Sequence, residues 1–482
     1  MNITDLNPSI VWKYFHEITQ VPRPSKREGK MIAFLESFAA KHSLPCKKDA
    51  VGNILICKPA SAGFEAYPTI IIQSHIDMVC VAAPGKAIDF DNDPIETLVE
   101  GEWLCAKDTS LGSDNGIGVA AQLAILASSD IEHGPLECLF TVDEEAGMTG
   151  ANAIESGFMA GKILLNLDSE DEGEIFIGCA GGKSTEARLS FTPQPAPADL
   201  DYFTLQVGGL QGGHSGGEIH KGRGNACKIL ARFLLLLHER GIRVANIESG
   251  TFHNVIPSEA TAIVGIKPEL KEEVRALLNG FIADLEAEFK IVDPGITMSM
   301  TSAERPATCI DPNAASTLIY TLNACPHGVA AMSQNVEGLV ETSTNLAVVR
   351  TEAAQVVVIT SQRSSIESGK EAIAGQVLSV FKLAGAQVTQ SDGYPGWAPN
   401  PASPLLKVAA ATYSKLFGKD PQVKAIHAGL ECGLFLAKYP WMDMISFGPT
   451  LRGVHSVSER INIPTVDLWW RFLIAILKDC KI

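Results

Sequence analysis

Four clusters of acids and histidine, each placed where an apolar stretch stops or a helix begins, constrain this chain more than any other feature. "IIIQSHIDMV" ends in His75 and Asp77, and "LFTVDEEAG" ends in Glu144 and Glu145. "ILLNLDSED" carries Asp168, and "AKDTSLGSDNGIG" carries Asp114 just before a helix-like run. The apolar runs are short and β-branched ("TIIIQS", "PLECLFTV", "KILLNLD"), so they read as buried strands. Between them "NGIGVAAQLAILASS" is rich in Ala and Leu and reads as a helix. Strands that are apolar throughout, alternating with helices, predict an α/β domain with a mainly parallel central sheet.

The texture changes at "GCAGGKSTEARLSFTPQPAPADLD", which is crowded with Gly, Pro and Ala. From there to the Pro/Gly-rich "SDGYPGWAPNPASP" the strands are more polar and the pattern is α+β. Two similar lobes would fit this stretch, although no clean repeat runs through it. Afterwards the α/β pattern resumes with "LLKVAAATYSKLF", "QVKAIH" and "DMISFG". The economical arrangement is one α/β domain, residues 1–184 and 394–482, interrupted by an inserted domain over 185–393.

A net charge of −16 with no basic block argues against a nucleic-acid partner. The first twenty residues have neither a basic start nor an apolar core, so no secretory signal is expected there. The greasiest helix, "ILARFLLLLHER", is too short and too charged for a membrane span. Eleven cysteines without a C-x-x-C pair read as reduced core thiols of a cytoplasmic protein.

In an open parallel sheet, ligands gather at the carboxyl ends of the strands. The four clusters would therefore converge, and so many carboxylates cannot stay ionised together unless some are protonated or cations sit between them. His with Asp and Glu is a ligand set for zinc, manganese or cobalt. Two ions sharing a bridging carboxylate fit the number of donors better than one. Each ion should want a nitrogen, and "GPTLRGVHSVSERINIP" offers His455 for the second. Singly, H-x-D, "DEEAG" and "SDNG" are ordinary turns and caps; their coincidence at successive strand ends carries the metal reading. The Gly-rich run at 208–224 has neither G-x-G-x-x-G nor a Walker lysine, and "HSGG" is not G-x-S-x-G.

These motifs, with "GGHSGGEIHKGRGNA", "NVIP", "AIHAGLECGLF" and "SFGPTLRGVHS", resemble the co-catalytic zinc metallopeptidases that include the carnosinases and glutamate carboxypeptidase. Among these, the bacterial Xaa-His dipeptidases are most similar. The resemblance implies two zinc ions, for which cobalt or manganese can substitute. It implies His75 and Asp168 on one ion, Glu145 and His455 on the other, and Asp114 as the bridge. It also implies that Asp77 orients His75, that Glu144 is the general base, and that the Asp114–Asn115 peptide is cis. From the insertion, it implies that His214 (favoured over His220), Asn254 and Arg363 bind the substrate, Arg363 gripping a carboxylate. The implied activity is hydrolysis of dipeptides with a free N-terminus, such as β-Ala-His, by metal-activated water in a cytoplasmic homodimer. Two rivals remain: an amidohydrolase or deacylase of N-acyl amino acids on the same fold, and a non-catalytic zinc-binding protein, which would be marked by loss of Glu144 or a ligand.

Overall fold

The computed structural model describes residues 2–482. The chain forms two compact units. The first comprises residues 2–179, 397–425 and 430–482, and the second residues 180–396 and 426–429.

The first unit is built on an eight-stranded sheet. Its strands in chain order are β1 (Cys46–Lys48), β2 (Ile54–Lys58), β3 (Ile70–His75), β4 (Leu136–Thr141), β5 (Ile163–Asn166), β6 (Glu174–Cys179), β7 (Gln422–Ile426) and β8 (Asp443–Ser446). Their order across the sheet is β1-β2-β4-β3-β5-β8-β6-β7. The central four strands β4, β3, β5 and β8 run parallel, and antiparallel pairs flank them. The mainly parallel sheet expected from the apolar runs is present. All six residues of β3, β4's six and β5's four are buried. That is why these runs show no polar alternation. Helix α1 (Ser9–Thr19) packs on α2 (Ser113–Ala127), which packs on β3. Trp12, Phe15, Phe140 and Trp469 anchor this core at 2% exposure or less, each such burial contributing roughly 2–3 kcal/mol.

Parallel strands put their carboxyl ends on one edge. Ile70 of β3 lies opposite Leu136 of β4 and Ile163 of β5, so the three chain ends emerge side by side. The convergence of His75, the Glu144–Glu145 pair and Asp168 therefore follows from strand direction and register.

The second unit holds a nine-stranded antiparallel sheet. Thr297–Ser302, Asp201–Gly208, Ala260–Ile266, Arg243–Ser249, Val340–Thr351, Gln355–Ser364, Gly181–Ser190 and Gln387–Gln390 follow one another across it, with Gly328–Met332 beside Val340–Thr351. The two strand-and-helix sets that read as similar lobes share this one sheet, joined where Glu248 pairs with Arg350 and Ser249 with Val349. Phe233, Phe281, Leu318 and Phe381 bring four helices onto a common core. The segment Ile426–Gly429, which reads in sequence as part of the α/β domain, packs with this unit instead. The Ala180 N–H donates to the carbonyls of Ile426 and Ala428 at 3.1 and 3.0 Å.

No helix of the described residues is long and apolar enough to cross a membrane. All eleven cysteines are free thiols.

One glycine ties β8 to the edge that carries Asp168. A Cβ at Gly448 would fall 1.6 Å from the Ser169 carbonyl oxygen, and neither backbone can yield without moving the strand end. Gly448→Ala should lower unfolding stability by about 3 kcal/mol, measured by denaturant titration, with metal content falling in parallel because Asp168 is displaced.

Candidate metal centre

His75 is the last residue of β3, and its ring is buried between three carboxylates. Nδ1 lies 3.3 Å from Asp77 Oδ1, while Nε2 lies 3.1 Å from Asp114 Oδ1 and 3.3 Å from Asp168 Oδ1. His455 sits in the loop after Leu451–Arg452 with a left-handed backbone (φ +60°). A turn closed by the Ser456 hydroxyl on the Gly453 carbonyl at 2.6 Å holds it there. The His455 Nε2 lies 3.2 Å from Asp114 Oδ2 and 2.9 Å from Glu145 Oε2. Asp114 thus turns one oxygen to each histidine.

Donors at roughly 2.0–2.2 Å from a tetrahedral zinc lie about 3.3 Å from one another. The separations here, 2.9 to 3.3 Å, fit two such sets sharing Asp114. His75, Asp114 and Asp168 would hold one ion, and His455, Asp114 and Glu145 the other. The titration behaviour also asks for cations. Burial opposes a charged His75, yet Asp168, Asp114 and Asp77 raise its pKa well above the usual imidazole range. Hydrogen bonds to Asp114 and Glu145 push the half-exposed His455 up to about 11, against partial desolvation. Asp114, although buried, is held far below the carboxylate range by those two rings. The cluster is short of positive charge, and the histidines are driven towards imidazolium in compensation.

Glu144 and Glu145 open a one-turn helix, α3 (Glu144–Gly147), entered through Asp143 at φ +51°. Asp77 fixes this turn: its Oδ1 accepts the Glu144 N–H at 3.0 Å and its Oδ2 the Glu145 N–H at 3.2 Å. The resemblance implies that Asp77 orients His75; its carboxylate lies 3.3 Å from the ring and also ties down the backbone of both glutamates. The half-buried Glu144 carboxylate makes no hydrogen bond or ion pair with any described residue. Burial, followed by Asp168, Glu431 and Glu145, raises its pKa well above the carboxylate range, with His75 opposing.

Other residues that position the centre carry no sequence signature. Glu459 is buried and wraps the loop before Asp114, accepting the N–H groups of Leu111, Gly112 and Ser113 at 2.7, 2.9 and 2.7 Å and the Ser113 hydroxyl at 2.7 Å. Arg23, also buried, donates to the carbonyls of Ile76 and Asp77 at 3.0 and 2.9 Å and to that of Gly112. Asn115 Nδ2 donates to Asp168 Oδ1. The Asp114–Asn115 peptide is cis. A buried polar chain crosses the sheet below. Gln73 donates to Glu431 at 2.6 Å, Asn166 to Gln73 at 2.5 Å and Ser446 to Asn166 at 2.5 Å, and Ser446 meets Ser169 at 2.7 Å. Burial pushes Glu431 up to about 8. Position 459 follows His455 by four residues in one polar loop, the only local hint available for it.

The remaining sequence-predicted residues lie in the second unit. His214 and Val255 pair in a two-residue ladder, and the Asn254 carbonyl accepts the Ser215 N–H at 2.8 Å. Arg363 is 6% exposed, donates to the Tyr394 hydroxyl at 3.2 Å and has no carboxylate partner among the described residues. Burial, followed by Arg363, lowers the pKa of His214, His253 and His427. His214, Asn254 and Arg363 therefore share one neighbourhood.

The model of peptidase family M20/M25/M40 matches residues 71–479. The cytosol non-specific dipeptidase of Escherichia coli (strain K12) is 40% identical over 478 residues, 99% of each chain. The crystal structure of aminoacylhistidine dipeptidase from Vibrio alginolyticus superposes with a TM-score of 0.92 at 42% identity, covering 99% of this chain and 98% of that one. Aminopeptidase PepT from Bacillus cereus, at 16% identity over 98% and 99% of the two chains, shares the fold with a TM-score of 0.57. A carboxylate shared between His75 at the end of a parallel strand and His455 in a loop, with this similarity along nearly the whole chain, establishes that the protein belongs to peptidase family M20/M25/M40.

Proposed function

We propose that the protein is a di-zinc dipeptidase hydrolysing dipeptides with a free N-terminus, of the Xaa-His type such as β-Ala-His and others. The observation that carries this reading is the division of labour around Asp114: two histidine–carboxylate sets share it, while the Glu144 carboxylate beside them stays unengaged. His75, Asp168, His455 and Glu145 would hold the ions, with Asp114 between them. Bound zinc supplies Lewis acidity and lowers the pKa of water towards about 7. Glu144 accepts a proton from the attacking water and returns it to the leaving amine. Burial and the neighbouring carboxylates raise its pKa, the direction in which a carboxylate becomes a better proton acceptor. Asp77 keeps the base in place through the two N–H groups it accepts.

His214, Asn254 and Arg363 bind the rest of the substrate in this reading. The His214 Nδ1 accepts the Gly217 N–H at 3.1 Å, which places the proton of the neutral ring on Nε2, a donor suited to a developing oxyanion. Asn254 adds a polar contact. A buried guanidinium without a carboxylate is costly, and Arg363 is satisfied by the substrate's own carboxylate. His220 is exposed, as His214 is, but makes no ring hydrogen bond with any described residue, which favours His214. A cytoplasmic homodimer belongs to the same proposal.

A hydrolysis panel of β-Ala-His, other dipeptides and N-acetyl amino acids tests the activity. Dipeptides should turn over, N-acetyl amino acids should not, and prolonged chelation should abolish the rate until zinc, cobalt or manganese is restored. Preference for the N-acetyl series would replace the peptidase reading with a deacylase. The two glutamates separate by metal titration. Glu144→Gln should keep about two ions per chain and lose at least ~100-fold in kcat, whereas Glu145→Gln should lose occupancy and recover part of its rate in excess zinc. The opposite pattern reverses the two roles.

A further inference from the structure

His427, in the segment that returns to the second unit, is buried at 6% exposure, as is Arg363, while Ser343 is at 2%. Ser343 and Arg363 are directly opposed across neighbouring antiparallel strands, so their side chains leave the same face of the sheet. The Ser343 Oγ lies 2.7 Å from His427 Nε2. One sheet face thus presents a guanidinium and, held by the residue opposite it, an imidazole.

Three buried polar atoms on this face are left over. Arg363 Nε, His427 Nδ1 and Asn345 Oδ1 make no hydrogen bond. Asn345 follows Ser343 by two residues and so shares its face; its amide donates to the Val255 carbonyl at 2.8 Å. The Val340 carbonyl lies near the His427 ring, but Nδ1 makes no hydrogen bond to it. The His427 ring is neutral at physiological pH, since burial and then Arg363 push its pKa down to about 3. A neutral ring has one N–H. If the Ser343 hydroxyl donates to Nε2, the proton is on Nδ1, and two unpaired donors, Nδ1–H and the Arg363 Nε–H, serve one anion.

We propose that His427 is a specificity-determining residue: held by Ser343 beside Arg363, it donates its Nδ1–H to the α-carboxylate of the substrate and so selects peptides that end in a free carboxylate over their amides. This rests on the reading of Arg363 as the carboxylate-binding residue and extends it to a second donor. With an amide, His427 and Arg363 would face a neutral group, part of it an NH₂ that cannot accept, and a buried donor would stay unpaired. Burial and Arg363 also lower the pKa of the neighbouring His214 and His253, so the guanidinium is the permanent positive charge that Arg363 offers to the anion here.

The test uses the full-length, metal-loaded protein with β-Ala-His and its C-terminal amide, alongside His427→Ala, His427→Asn and Ser343→Ala, with thermal melts to show each is folded. Wild type should favour the acid. His427→Ala should raise KM for the acid about 10- to 100-fold, the loss expected for a hydrogen bond to a charged group, with kcat within about threefold and the amide unchanged. His427→Asn, which keeps an N–H, should recover part of the loss, and Ser343→Ala should show a smaller rise. Calorimetric binding of leucine and leucinamide reads the site without turnover. A preference for leucine that His427→Ala erases supports the inference even if no dipeptide is hydrolysed, which would count against the dipeptidase reading alone. An equal rise for acid and amide, a fall in kcat with KM unchanged, or no preference for leucine over leucinamide in wild type would overturn it.

Discussion

Five carboxylates, those of Asp77, Asp114, Glu144, Glu145 and Asp168, crowd around His75 and His455 at one edge of a sheet whose central strands are mostly apolar. Like charges this close repel strongly in a low-dielectric interior, and the surrounding structure counters the repulsion in several ways. Asp77 is neutralised by the His75 ring and by two backbone N–H groups. The loop before Asp114 is held in place by Glu459 through three backbone N–H groups and a hydroxyl. The remaining negative charge is what two divalent cations would neutralise, and the imidazoles held towards their charged form show how strongly the site attracts positive charge.

The network beneath the centre serves the same end by different means. Gln73, Asn166, Ser446 and Glu431 occupy positions in or beside fully buried strands where apolar residues would pack more cheaply. Every link between them is a short hydrogen bond, which offsets much of the desolvation, although Glu431 Oε1 is left without a partner. The chain of bonds ties β3, β5 and β8 laterally at the level where His75 and Asp168 emerge. Position there matters to fractions of an ångström, because donors for one ion must stay about 3.3 Å apart. In the second unit Arg363 is likewise buried without a carboxylate partner among the described residues, and burial and the guanidinium lower the pKa of the imidazoles around it.

Much of this was legible before any coordinates. His75, Asp114, Glu145, Asp168 and His455 stand out because each pairs a metal-binding side chain with the end of an apolar run or a Gly-rich loop, and strand direction sends such ends to one edge. Glu459, Arg23 and His427 were not legible. Their partners lie 348, 53 and 84 residues away in sequence, and a lone Glu, Arg or His has no pattern that distinguishes a buried polar partner from a solvated side chain. The short segment Ile426–Gly429 was assigned by its strand-like pattern, which reports burial but not which sheet does the burying.

The sequence by itself determined the parallel sheet and the residues that meet at its edge, because hydrophobic periodicity and strand polarity are local properties that survive any arrangement of the rest. Only the tertiary structure decided how Asp114 divides its oxygens between two histidines, why Glu144 stays unengaged while Glu145 meets His455, and which buried side chains hold them there. Those outcomes depend on side-chain directions and on separations of about 3 Å between segments remote in the chain, and no local pattern of residues encodes them.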